Sequence, residues 1–269
     1  MADSLFNVLD RDRVQPTELS RGPWSPHALH GGPVAALVAH AAEEAMAATD
    51  APARTPMRLT LDLERPVPLA PLRVRTEIVR RGRKVQVAEV ALYDDDDKRL
   101  ARATVLAIRR AELDLPADRP APVDTAPPGL EAAKEVPMWE PMGATVAFHS
   151  DAVEHRFVGG GGMLQPGPAT DWIRLRVPVV PDRSPSAFQR LVAAADFANG
   201  VSGALPVDAW TFINPDLTVT VHRLPAGEWV CLAAATRLDP SGGGTAEADL
   251  FDERGRIGRC VQTLLVEPR

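Results

Sequence analysis

The feature that most constrains this chain is an internal duplication. An apolar, alanine-rich segment follows His30-Gly31-Gly32-Pro33 and runs from Val34 to Ala48. These are good helix formers, Pro33 suits the first helical position, and Thr49-Asp50-Ala51-Pro52 stops the run. Four runs of period two follow: Leu59 to Arg65, Leu72 to Val79, Val85 to Tyr93 and Leu100 to Ile108. That period is the signature of strands with one buried face. The same order recurs later. A helix is predicted from Pro185 to about Ala198, then strands at Leu217 to His222, Trp229 to Leu238, Thr245 to Phe251 and Ile257 to Val266. Leu92-Tyr93-Asp94 matches Leu250-Phe251-Asp252 at an offset of 158 (250 minus 92), and Arg65 matches Arg223 at the same offset. Leu100-Ala101-Arg102 matches Ile257-Gly258-Arg259 at 157 (257 minus 100), because the first copy has the longer turn. So long a period describes a duplicated domain, not a solenoid.

Short turns between the strands point to antiparallel meanders. Two more strand-like runs, Ala152 to Val158 and Trp172 to Val177, precede the second helix. Between the copies, Ala111 to Gly143 is proline-rich and lacks apolar periodicity, so it reads as a linker. The expected division is residues 1–110, a linker at 111–145, and residues 146–269. A sheet with one apolar helix buries that helix in its concave face and leaves an edge open. Two such units pair edge to edge into one long sheet. The expected class is α+β, with two fused units of the hot-dog type, each a sheet wrapped around a central helix.

Composition narrows the function. The net charge is -6 with a pI near 5.6, a poor basis for binding nucleic acid, although a local basic patch suffices for a small anion. Cys231 and Cys260 fall in strand-like runs and read as free thiols; no metal-ligand spacing occurs, and neither a metal nor a cofactor is expected. The N-terminus lacks an apolar signal core, and no stretch reaches the ~18 apolar residues of a membrane span. A cytoplasmic protein is expected.

Four ordered motifs in the second half carry a resemblance. They are Ala195-Asp196-Phe197-Ala198-Asn199-Gly200, then Phe212 to Leu217, then His222 to Trp229, then Gly255 to Gln262. Together with His30-Gly31-Gly32-Pro33 they resemble bacterial acyl-CoA thioesterase II and its relatives. The resemblance implies hydrolysis of acyl-CoA to free fatty acid and CoA, and a homodimer, which the open sheet edges also suggest. In that family an Asp, a Thr or Ser, and a Gln hold a water. Motif by motif these fall on Asp196, Asn214 and Gln262, so the hydroxyl position holds an amide here.

The chemistry needs these groups. Asp196 could take a proton from water, Gln262 and Asn214 could hold that water, and a helix N-terminus offers N–H groups to a developing oxyanion. Gly31, Gly32 and Val34 are the candidate donors, since Pro33 has none, and His30 is a candidate ligand contact. The turn Arg80 to Lys84 offers Arg81, Arg83 and Lys84 to the phosphates of coenzyme A.

Rival readings are weaker. Hydratases of this fold use Asp followed five residues later by His, and Val201 stands there. No G-x-S-x-G elbow occurs; Gly200-Val201-Ser202-Gly203 breaks the pattern. A non-catalytic acyl-CoA-binding or partner-binding protein is the remaining alternative, favoured by Asn214.

Overall fold

The computed structural model describes residues 3–49, 52–120, 127, 129–136, 146–159 and 165–269. Parts of the expected linker, and residues 160–164, lie outside them.

In chain order the elements are β1 (Phe6–Val8), β2 (Arg13–Pro16), α1 (Gly31–Ala47), β3 (Arg54–Leu63), β4 (Leu72–Arg81), β5 (Val85–Tyr93), β6 (Arg99–Arg109), β7 (Ala133–Glu135), β8 (Val153–Val158), β9 (Ala169–Leu175), α2 (Ala187–Ala195), α3 (Ala198–Val201), β10 (Trp210–Ile213), β11 (Asp216–Val221), β12 (Trp229–Leu238), β13 (Gly243–Asp252) and β14 (Gly255–Pro268). Among the described residues the strands form one antiparallel sheet, in the order β1-β2-β4-β5-β6-β3-β11-β14-β13-β12-β9-β8-β7, with β10 also paired to β14.

The two copies of the repeat meet where β3 pairs with β11. Leu61 faces Leu217 and Leu59 faces Val219 across that seam, and all four are buried. Alternation puts these apolar side chains on one face, so the cross-strand pairs fuse two half-sheets over a single core. The outer edges, β1 and β7, are only three residues long, which leaves little backbone for a stray strand to pair with. The β1 edge is also tied to the other half: the N–H groups of Leu5 and Phe6 donate to the carbonyls of Pro178 and Val179, each at 2.9 Å.

Helix α1 lies against β3 to β6 and against α2. Its alanines allow close approach, and two glycines require it. A Cβ on Gly32 would come within 2.7 Å of the Ala193 carbonyl and of the Phe148 ring. Burying a helix that is nearly apolar throughout is the expected outcome of its composition.

The structure departs from the sequence reading in specific places. α1 starts at Gly31, so Pro33 is its third residue, not its first. The predicted second helix breaks: α2 stops at Ala195, Asp196 is its C-cap, and α3 begins at Ala198. Part of the expected linker, Ala133–Glu135, pairs with β8 as the edge strand β7. Short strands β1, β2 and β10 carry too few residues to show a period.

Candidate active site

The break between α2 and α3 has a local cause. The amide of Gln262, on β14, inserts into it: Nε2 donates to the Asp196 carbonyl at 3.1 Å, and Oε1 accepts from the Asn199 N–H at 3.0 Å. These two bonds replace helix bonds, which is one of the recognised causes of a sharp helix kink. The kink leaves the Asp196 side chain free to turn toward α1.

A second break sits opposite. Asn214-Pro215 interrupts the run from β10 to β11, because proline has no N–H to give the ladder. The Asp216 carboxylate fills that gap by accepting from the Thr263 N–H at 2.6 Å. Asn214 is thereby turned inward, with Nδ2 donating to Asp196 Oδ1 at 2.9 Å and to the Asp216 carbonyl at 3.2 Å.

Asp196 is at the centre of these contacts, and its side chain is only 3% exposed. Oδ1 accepts from Asn214 and from Gln262 Nε2, the latter at 3.0 Å. Oδ2 lies 2.8 Å from His30 Nδ1. A Cβ on Gly31 would lie 2.6 Å from Oδ2, so only glycine fits against the carboxylate.

His30 Nδ1 also lies 3.0 Å from the Gly32 N–H, where it would act as the acceptor. The nitrogen has one in-plane position and cannot serve both partners. The Gly32 N–H takes it, so Nδ1 caps α1 as an acceptor beside the Asp196 carboxylate. Phe197 and Phe148 hold the ring, with centroids 4.7 and 5.1 Å from that of His30.

These groups open on a cavity of about 480 Å³. Its lining is largely apolar and includes Trp24, Leu29, Val67, Phe197, Phe212 and Ile213. The sequence-predicted residues His30, Gly31, Val34, Asp196 and Asn214 all line it. Gln262 does not: it is wholly buried, both of its donor bonds go to Asp196, and it orients that residue from behind. Val34 contributes its side chain, but its N–H is the one that closes the first helical turn onto the His30 carbonyl. Gly32 does not line the cavity, and its N–H is taken by His30 Nδ1, so Gly31 is the donor of the helix end that faces the cavity.

Arg81, Arg83 and Lys84 are not part of this cavity. They sit at the β4–β5 turn beside the far end of α1, where Arg54 donates to the Gly82 carbonyl and Gln86 to Thr49. A helix of 17 residues puts that turn roughly 25 Å from Gly31. The sequence reading missed Arg65, which does line the cavity; its place in the repeat, opposite Arg223, was the available signal.

Other nucleophiles are poorly placed. Both cysteines are buried, and burial pushes their thiols up, Cys260 to about 12. Among the described residues no cluster of three or more His, Cys, Asp or Glu is arranged to hold a metal, and no helix is long and apolar enough to cross a membrane.

Comparison with known proteins agrees with this architecture. Residues 20–108 match the family model of the acyl-CoA thioesterase N-terminal domain, and residues 121–266 match that of the C-terminal domain. No curated protein matches the chain. Among solved structures, a hot-dog-fold protein of unknown function from Alicyclobacillus acidocaldarius is 17% identical, with 99% of this chain and 97% of that one covered and a TM-score of 0.69. The tesB protein of Mycobacterium avium subsp. paratuberculosis is 16% identical over 98% and 96%, with a TM-score of 0.67. The acyl-CoA thioesterase II TesB2 of Mycobacterium marinum is 15% identical over 98% and 95%, at 0.64. These likenesses carry the fold, the family models cover both copies of the repeat, and the chain belongs to the acyl-CoA thioesterase family.

Proposed function

We propose that the chain hydrolyses acyl-CoA thioesters to free fatty acid and CoA at Asp196. In this reading the molecule is a double hot-dog. Residues 1–110 and 146–269 form the two units, with α1 and α2 as their central helices and 111–145 as the connection. The observation that supports the activity best is the placement of Asp196 Oδ2 against the glycine end of α1, on the wall of an apolar cavity.

The steps follow from the contacts. The thioester carbonyl lies toward the Gly31 N–H, which donates a hydrogen bond to its developing oxyanion. Such a donor lowers a barrier by typically ~2.7–4 kcal/mol. A water between that carbon and Asp196 attacks it, and Oδ2 takes the water's proton. Oδ1 is already satisfied by two amide donors, whereas Oδ2 faces only the His30 ring and the Gly31 backbone, so Oδ2 is the basic atom. Asn214 spends both N–H groups on protein acceptors, leaving its carbonyl oxygen to hold the water. The tetrahedral intermediate collapses, the C–S bond breaks, and the thiolate recovers the proton from Asp196. Gln262 acts by positioning Asp196. General base action of this kind contributes ~10²–10⁴-fold.

The test is thiol release from a panel of acyl-CoA chain lengths, with binding measured in parallel. Turnover of at least one chain length is expected. Tight binding to every member with no thiol released would replace hydrolysis by acyl-CoA binding, the reading that the amide at position 214 favours.

A further inference from the structure

The duplication places two arginines at equivalent positions, and they have different fates. In the second copy Arg223 meets Asp252 in a two-pronged ion pair, with Nη1 at 2.5 Å from Oδ2 and Nη2 at 2.7 Å from Oδ1. The Asp252 carboxylate is fully buried. Burial alone would raise its pKa, but Arg223 and the N–H groups of Ala226 and Arg254 outweigh this and hold it below the usual range. Arg223 is thus a structural cation.

In the first copy Asp94 stands where Asp252 does. The turn there is one residue longer, and Asp94 is drawn onto it: Oδ1 accepts from the N–H groups of Asp96 and Lys98. Arg65 is left without that partner. Its side chain donates to the Arg99 carbonyl at 3.2 Å, and the nearest carboxylate, Glu64, is 4.0 Å away and bonded to Arg99 at 2.8 Å. Arg65 nevertheless lines the cavity that holds Asp196, and its side chain is 45% exposed, so it stands at the rim.

We infer that Arg65 is an anion-binding residue at the mouth of the cavity, pairing with a negatively charged group on the thioester substrate. The inference rests on the hydrolytic reading above for its substrate class. A guanidinium recognises carboxylate and phosphate oxygens equally well in geometry, so the anion belongs either to the phosphates of the CoA carrier or to a carboxylate at the far end of the acyl group. The rim position suits either, because in that reading the carbonyl sits at Gly31 while one end of the substrate leaves through the mouth.

Three thioesters separate the sources: an acyl-CoA, the same acyl group on N-acetylcysteamine, which lacks phosphate, and an ω-carboxyacyl N-acetylcysteamine. With Arg65→Ala, KM rises about tenfold or more for an anionic substrate, as for loss of one charge-assisted pair. The uncharged thioester keeps its KM, and kcat is unchanged throughout. A rise confined to acyl-CoA assigns the carrier phosphates; a rise confined to the ω-carboxyacyl compound assigns the acyl carboxylate. Arg65→Lys retains most of the affinity and controls for lost packing. A KM unchanged for both anionic substrates, or raised equally for all three, overturns the assignment. Should the wild type release no thiol from any of them, hydrolysis falls alone. Calorimetric binding of the same three compounds to wild type and Arg65→Ala then decides, with the same tenfold selective loss expected and an equal affinity contradicting it.

Discussion

Helices α1 and α2 begin in contrasting ways, and the difference between their N-termini separates the candidate site from its counterpart in the other half. At the start of α2, Ser186 and Gln189 form a reciprocal cap, and Glu43 from α1 accepts from the Ser186 hydroxyl at 2.9 Å and from Gln189 Nε2 at 2.7 Å. At the start of α1, the approaching carboxylate is Asp196 from the end of α2, and the residues it meets are His30 and Gly31. Each helix end faces an acid from the other helix. At α2 the side chains fill the space and take the hydrogen bonds. At α1 His30 caps the Gly32 N–H and leaves that of Gly31 beside a cavity. A filled cap stabilises, while a bare one is reserved for a ligand.

The comparison breaks most sharply at Gly31. Alanine there is the better helix former, so propensity alone favours the change. The added Cβ, however, would lie 2.6 Å from Asp196 Oδ2 and 2.7 Å from Oδ1. Gly31→Ala is expected to lower kcat by on the order of 10²–10³-fold, the effect of displacing one oxyanion donor. Activity within threefold of wild type would show that the bare helix end is not where the oxyanion forms.

The open helix end is legible in the amino-acid sequence. His30-Gly31-Gly32 marks an unusual helix start, and the offset between Leu92 and Leu250 marks the duplication. The long strands are legible because each has many residues on one buried face. The closed end is not legible, since the partnership of Glu43 with Ser186 and Gln189 spans more than 140 positions and follows no periodicity. The role of Gln262 is hidden for a similar reason. A polar residue in an apolar strand signals a special position, but only the fold reveals that its amide enters the break beside Asp196 and has nothing left for a water. The basic turn at Arg81, Arg83 and Lys84 draws attention by charge alone, and charge carries no address; Arg65 draws none, though it reaches the cavity.

A smaller effect sharpens the comparison from the other end. Burial raises the Glu43 carboxyl above its ordinary value, against the hydrogen bonds from Gln189 and Ser186, which lower it. The folded chain therefore holds this proton more tightly than the unfolded chain does. Its contribution to stability is present below the ordinary carboxylate pKa and is lost as pH rises through the raised value. Glu43→Gln, which stays neutral, is expected to gain stability relative to wild type over that rise, by about 1 kcal/mol or less, with kcat within twofold. Thermal unfolding from pH 4 to pH 8 reads the first effect and thiol release the second. A large loss of turnover in this variant would mean that both helix ends serve the reaction.

The most direct measurement sets the two acids side by side: thiol release by Asp196→Asn and Glu43→Gln, each shown by its unfolding temperature to be folded. Asparagine keeps the size of Asp196 and removes its capacity to take a proton. The account predicts a fall of on the order of 10²–10⁴-fold in kcat for Asp196→Asn and near-wild-type turnover for Glu43→Gln. Turnover by Asp196→Asn within threefold of wild type would contradict it.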